Sequence, residues 1–423
     1  MNILIKNGTL ANDNQTDLYI ENGIIVKMGQ NLDFTCDVLI DAKNKLVAPG
    51  LVDMHCHLRD PGQEYKEDIV TGTKSAVMGG FTSVACMPNT TPVADDKIVI
   101  SYIVNKAKEK AYANVYPIGA ISKGLCGQQL AEMGDMKEAG AVAVSDDGKP
   151  VENANFMKNA LLYANGFGLP VISHCEDMSL KNDGSMNEGY TSTYMGLRGI
   201  SRASEEVMVS RECILAETYN VPVHIAHVST KGSVEIVRQA KKRGVKVTCE
   251  TCPHYFTLTE EMVEGFNTNA KMNPPLRTKE DVEAIVEGLK DGTIDAIATD
   301  HAPHAIDEKN CEFDMALNGI VGLETAFGLS YTYLVKTGIL STAELIEKLS
   351  TNPSRILKIN KGELKEGAVA DISVFDLDNQ YTVKTEEFMS KSKNSPYDGF
   401  ELYGKADTVI VKGKIVVEKG ELK

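Results

Sequence analysis

The chain has 423 residues, 43% of them hydrophobic and 24% charged, with 44 Lys and Arg against 59 Asp and Glu and a formal charge of −15. That length is too great for one ordinary core and suits a large domain with a small one, and no Lys/Arg stretch is long enough to track a phosphate backbone, which argues against nucleic acid as a partner. No apolar run reaches about 18 residues and Met1 to Lys6 lacks the apolar core of a signal peptide, so neither membrane insertion nor secretion is indicated and the cytosol is the expected compartment.

In chain order, Ile3 to Ile5, Leu18 to Ile20, Ile24 to Lys27 and Val38 to Ile40 read as short strands, punctuated by the turn signals Asn7-Gly8 and Asn22-Gly23. Ala370 to Phe375, Thr408 to Val411 and Lys414 to Val417 repeat that style near the other end. Both termini are therefore expected to form one small β-sandwich domain, residues 1–48 with 362–423. A larger domain, 49–361, is inserted between them.

Within the insert, apolar runs alternate with helical periods. Eight strands are expected: Gly50 to His57, Phe81 to Met87, Asn114 to Ile118, Ala141 to Ser145, Pro170 to His174, Val221 to His227, Val245 to Cys249 and Ile294 to Thr299. Helices with polar faces are expected between most of them, over Tyr65 to Val77, Asp95 to Ala111, Asn153 to Ala164, Ala203 to Tyr219, Gly232 to Arg243 and Lys279 to Lys290. Such alternation implies parallel βαβ units, and eight of them imply a closed (β/α)8 TIM barrel. An open doubly wound sheet is the alternative, but no G-x-G-x-x-G follows an early strand to support it.

The first of these strands ends in Asp53-Met54-His55-Cys56-His57-Leu58-Arg59. Residues two apart share a face of a strand, so His55 and His57 can present imidazoles to one point. Two buried histidines bonded to backbone carbonyls would be the bland explanation. The other strands weigh against it, because catalytic groups of such barrels sit at the C-terminal strand ends. Asp146-Asp147 end the fourth strand, His174 the fifth, His227 the sixth and Asp300 the eighth. Four imidazoles and two carboxylates at one mouth exceed what a mononuclear zinc site uses. Two divalent ions sharing a bridging carboxylate would use them all, lowering the pKa of a shared water and polarising a carbonyl, which suits hydrolysis of an amide-like bond.

The nine cysteines are scattered without framework spacing, as reduced thiols would be. Cys249-Glu250-Thr251-Cys252 is a C-x-x-C, but Pro253 follows and no second pair matches it, so two ordinary thiols are expected. The sequon Asn89-Thr90-Thr91 is discounted in a cytosolic chain.

The eighth strand runs into Ala298-Thr299-Asp300-His301-Ala302-Pro303-His304, then Lys309. With this motif, the H-x-H-x-R of the first strand, Met87-Pro88-Asn89-Thr90, Ser145-Asp146-Asp147-Gly148 and His174-Cys175-Glu176-Asp177, the chain resembles the dihydroorotase family of metal-dependent amidohydrolases, from Pro49-Gly50 to Gly367-Ala368-Val369-Ala370-Asp371. The resemblance implies a cyclic amidohydrolase that interconverts N-carbamoyl-L-aspartate and L-dihydroorotate in pyrimidine biosynthesis, with two Zn2+ per chain. It implies His55, His57 and Asp300 on one ion, His174 and His227 on the other, and Asp147 between them. Many relatives bridge with a carboxylated lysine, whereas this chain resembles the branch that uses aspartate. Asp146 is the competing bridge, and Asp147 is chosen by the family's spacing.

Asp300 has a second implied role as general acid/base. Arg59, Asn89 and His304 match positions that hold the unreactive carboxylate of the substrate, Arg59 offering a planar bidentate fork. Asn273, which could also be a turn residue before proline, matches a position for the ring amide. Asn318 and Gly319 would meet the ring through backbone groups. His224, His301 and His254 are set aside as packed or outward-facing, and the segment from Ala305 to Asn318 is expected to be a loop that closes over substrate.

Within enzymes the rivals are a dihydropyrimidinase, hydantoinase or allantoinase, which generally bridge with lysine and need no cation for a substrate carboxylate. A catalytically silent scaffold subunit is the rival from another class. The expected partner is a small molecule, with no nucleic acid or membrane. A homodimer and an assembly with aspartate transcarbamoylase are both compatible with the resemblance.

Overall fold

The computed structural model describes all 423 residues. Eight parallel strands follow one another round a barrel: Leu51–Cys56, Phe81–Cys86, Asn114–Ala120, Ala143–Ser145, Val171–Ser173, Val223–Ile225, Val247–Thr251 and Ala296–Ile297. The ring closes where Cys56 bridges His301 and His57 N–H donates to His301 C=O at 2.8 Å. All eight strands expected from the sequence are present, most of them shorter. Helices alternate with them as the periodicity requires, including Ile69–Met78, Lys97–Lys110, Ala203–Tyr219, Lys231–Lys242 and Lys279–Lys290. In Lys231–Lys242, for example, Val234, Val237 and Ala240 are buried, and the polar positions lie opposite. This is a (β/α)8 barrel.

The interior is filled by Met54, Ala85, Ile118, Ala143, Ile172, Ala226, Ala296 and Ala298, one or more from nearly every strand. Met54 and its neighbour His55 both turn inward, which strict alternation forbids. A bulge resolves it: Asp53 pairs with Val84 and Cys56 with Cys86, so the first strand has one residue more than its partner over this span. Such an insertion re-aims the side chains at a strand end.

The two termini join in one nine-stranded sheet. Leu46–Pro49, from the first part of the chain, pairs antiparallel with Ile372–Thr382 near its end, Ala48 opposite Ser373. A bridge between Ile24 and Val369 brings the far edge back, so the sheet curls round Ile3, Ile5, Leu18, Ile20, Ile372 and Ile410. The expected sandwich is thus one continuous sheet curled on itself. Between Thr382 and Glu401 the chain leaves this sheet and lies against the barrel: Ser392 Oγ donates to Lys66 C=O at 2.7 Å, and the Tyr397 hydroxyl is 2.7 Å from Thr257 Oγ1. That excursion has no periodicity by which the sequence would announce it.

Candidate active site

His55 is fully buried at the end of the first barrel strand. Its Nδ1 is 2.7 Å from Glu250 Oε1, and a neutral imidazole has only one N–H, so donating it there leaves the Nε2 lone pair facing the mouth. His57 is held the same way, with Nδ1 2.8 Å from Asn89 Oδ1. His174 is turned round: Nε2 lies 3.4 Å from Glu176 Oε2, and Nδ1 faces inward. His227 presents Nε2, 2.8 Å from that nitrogen of His174. On His55, His57 and His174, oxygen acceptors on the outer nitrogens fix tautomer and ring direction, as they do around metal-binding histidines.

Asp147 lies in the middle. Its Oδ1 is 3.4 Å from His55 Nε2, 3.7 Å from His174 Nδ1 and 3.6 Å from His227 Nε2, and its Oδ2 is 3.4 Å from His57 Nε2. Asp300 Oδ1 is 3.2 Å from His57 Nε2 and 3.5 Å from His55 Nε2. Ligands held about 2.0–2.1 Å from a tetrahedral ion are roughly 3.3 Å from one another, so this spacing is that of donors arranged round ions. His55, His57 and Asp147 form one triad and Asp147, His174 and His227 another. The His55 Nε2 and Asp147 Oδ1 atoms are buried without a hydrogen-bond partner, a costly state unless they face a cation. The donor set therefore fits divalent metal.

The charges act on one another as that packing demands. Burial pushes His55 down, but the Asp147 and Asp300 carboxylates outweigh it and hold its pKa well above the ordinary value, so a cation taking the Nε2 lone pair must displace the proton these carboxylates favour there. Burial likewise raises Asp147 and Asp300, yet the imidazoles, His55 foremost, hold Asp147 well below the carboxylate range and Asp300 at about 2. The neighbouring Asp146 faces elsewhere. It accepts hydrogen bonds from Ile121 N at 2.8 Å, Ser122 N at 3.0 Å and the Ser122 hydroxyl.

A cavity of about 240 Å³ opens over these groups, lined among others by Arg59, Asn89, Asn273, His304, Asn318 and Gly319. Arg59 donates through Nε to Pro303 C=O at 3.2 Å, and no protein group takes its terminal nitrogens. Asn273 Nδ2 donates to Glu176 at 3.2 Å, while its buried Oδ1 has no partner. Of the backbone groups of Asn318 and Gly319, three are already used inside the protein: Asn318 C=O by His304 Nε2 at 2.8 Å, Gly319 N–H by Lys271 C=O at 3.0 Å, and Gly319 C=O by Lys309 Nζ at 3.1 Å. The Asn318 N–H and the second lone pair of the Asn318 C=O are left to meet a ring. The segment 305–318, expected as a closing loop, contains a helical turn, Ile306–Lys309, and is tied down by buried lysines: Lys309 Nζ donates to Leu317 C=O at 2.8 Å and Lys271 Nζ to Phe313 C=O at 2.6 Å.

Comparison with known proteins places this geometry. Residues 44–233 match the family model described as Dihydro-orotase-like. A dihydroorotase of Acetivibrio thermocellus is 59% identical over 422 residues, covering 99% of each chain, and one of Ruminiclostridium cellulolyticum is 57% identical with the same coverage. The chain belongs to the dihydroorotase family. Among solved structures, the L-hydantoinase (dihydropyrimidinase) from Arthrobacter aurescens superimposes with a TM-score of 0.91 at 26% identity, covering 100% of this chain and 97% of that one. The fold is thus shared with a hydantoinase whose sequence is far more distant.

Two carboxylates behind the histidines of this dihydroorotase-family site escaped the sequence reading. Glu250, buried in the seventh strand, bonds His55 and also lies 3.3 Å from His224 Nε2. Burial would raise its carboxyl, but His224 and His55 hold it to about 2. His224 is therefore a support for Glu250, behind the mouth. The signal was the one charged residue of that strand, hidden inside a C-x-x-C whose cysteines are free and buried. Glu176, two residues after His174, is the other; Lys181 Nζ pairs with it at 2.9 Å. His301 turns away to Glu67, 3.4 Å off, and His254 is buried with its pKa pushed by burial to about 4. Glu250→Ala is expected to lower metal affinity by about 10- to 100-fold, the usual cost of losing such a support. Titration of the stripped protein with metal checks it, and saturating metal should restore most activity.

Proposed function

We propose that this chain interconverts N-carbamoyl-L-aspartate and L-dihydroorotate in the cytosol, with His55, His57, Asp147 and Asp300 around one zinc ion and Asp147, His174 and His227 around a second. The observation that carries this reading is Asp147, one carboxylate within 3.4–3.7 Å of four inward imidazole nitrogens. Imidazole and carboxylate donors suit zinc. When bound, the ion pair would lower the pKa of a shared water and polarise the carbonyl under attack.

The side chains supply the rest. Ring opening forms a bond from water oxygen to the ring amide carbon and breaks that carbon's bond to the ring nitrogen. Asp300, ionised at neutral pH, takes the proton the water gives up and returns it to the departing nitrogen. Closure is the same path reversed. Arg59 holds the unreactive carboxylate through its terminal nitrogens, joined by Asn89 Nδ2, which is free because Asn89 Oδ1 serves His57. A neutral His304 has one N–H, given to Asn318 in the free protein, so it must share or release that bond to reach substrate. Asn273 Oδ1, an acceptor without a partner, suits a ring N–H.

The test is metal content and substrate choice. About two equivalents of metal per chain are expected, with turnover of dihydroorotate in preference to dihydrouracil, hydantoin and allantoin. A metal-free active protein, or preference for hydantoin, would overturn the reading. Arg59→Met removes a charge-assisted, two-pronged contact, and KM for dihydroorotate should rise roughly a hundredfold. Steady-state kinetics on the metal-loaded variant decide it.

A further inference from the structure

One side chain outside the pocket wall holds two parts of that wall together. Asn394 lies in the excursion between Thr382 and Glu401, 90 residues from His304 in sequence. Its Nδ2 donates to Ala302 C=O at 3.1 Å and to Gly319 C=O at 3.0 Å, and its Oδ1 accepts from His304 N–H at 3.1 Å. Its own carbonyl accepts from Val321 N–H at 2.9 Å. The amide is buried and both of its donors are used.

What it joins are the backbone carrying His304 and the backbone carrying Asn318 and Gly319. These run in contact: a Cβ on Gly319, whose φ is +134°, would lie 2.6 Å from Ala302 Cβ and 3.2 Å from His304 Nε2. The spacing between the two segments sets where the His304 ring meets Asn318 C=O, and Asn394 sets that spacing from behind. The same excursion reaches the opposite side of the pocket. Tyr397 meets Thr257 on the short helix Pro253–Thr257, whose Tyr255 hydroxyl donates to Pro274 C=O at 2.6 Å, beside Asn273.

We propose that Asn394 is a positioning residue of the substrate pocket: its amide fixes His304 and Gly319 against each other, so that affinity for the carboxylate-bearing substrate depends on it while the chemical step does not. The proposal rests on the reading of Arg59 and His304 as the carboxylate subsite. A residue that merely tied the C-terminal excursion to the barrel would not separate KM from kcat.

The test uses the full-length, metal-loaded protein and L-dihydroorotate. Asn394→Asp keeps the shape and the acceptor for His304 N–H but sets an oxygen against the carbonyls of Ala302 and Gly319. Asn394→Leu keeps the approximate volume and removes all three bonds. In both, KM is expected to rise about tenfold or more, with kcat within about threefold of wild type. Binding of dihydroorotate to the same variants in an Asp300→Asn background, with excess metal, should weaken in parallel, with metal content equal to that of Asp300→Asn alone. An unchanged KM in a folded variant overturns the proposal, as does a fall of kcat matching that of kcat/KM. Failure of both variants to yield folded, metal-loaded protein assigns Asn394 to the fold and overturns it too. Arg59→Met, run alongside, separates the two readings. If it raises KM and the Asn394 variants do not, only this proposal falls; if it also leaves KM unchanged, the subsite reading falls.

Discussion

Asp300→Asn is expected to lower kcat by roughly 10³- to 10⁴-fold in the presence of excess metal, the scale of losing a positioned acid/base group. Asparagine keeps the size and one oxygen of the carboxylate but cannot accept the proton that must travel from water to the leaving nitrogen. The variant should fold. Asp300 has φ +46°, a left-handed conformation that asparagine tolerates better than other side chains, and the side chain's contacts are with His55 and His57. Circular dichroism and thermal melting would confirm folding, and steady-state rates would give the loss. A kcat within about tenfold of wild type would place the proton transfer on another group.

The second large effect is at Asp147. In Asp147→Ala the four inner imidazoles lose the carboxylate that each approaches within 3.4–3.7 Å. Any divalent metal bound there would have Asp300 as the one remaining carboxylate beside His55 and His57. Metal analysis should show both equivalents lost or greatly weakened, and turnover should fall to background even with excess metal. Asp146→Ala is the contrast. That carboxylate caps the 121–122 turn, so its removal should cost about 1–3 kcal/mol of stability and leave metal content intact. The reverse pattern would make Asp146 the bridge.

Much of this site could be read before any coordinates. Strand ends are marked by their own composition, and a barrel sends them all to one mouth, so His55, His57, Asp147, His174, His227 and Asp300 could be grouped although they span nearly 250 residues. The two-residue spacing does put His55 and His57 on one face, while a bulge, invisible to alternation, lets Met54 face inward beside His55. Glu250 and Glu176 are not legible in the sequence because they act through another side chain, His55 and His174, and no spacing marks such a partner. The backbone groups of Asn318 and Gly319 are partly taken up by hydrogen bonds with Lys271, Lys309 and His304, which no local pattern reveals. Asn394 had no signal at all: one asparagine in a stretch of serines and lysines acquires meaning only when the chain is folded.

The pairing of Leu46–Pro49 with Ile372–Thr382 also dictates an order of events during synthesis. The opening strands leave the ribosome with an edge that stays open until more than three hundred further residues have been made, and exposed edges of that kind invite wrong partners. The barrel between them can close while they wait. Asn394 arrives later still, so a nascent chain could hold all six candidate ligands in place before the wall of its pocket is set, and a late segment finishes what an early one begins.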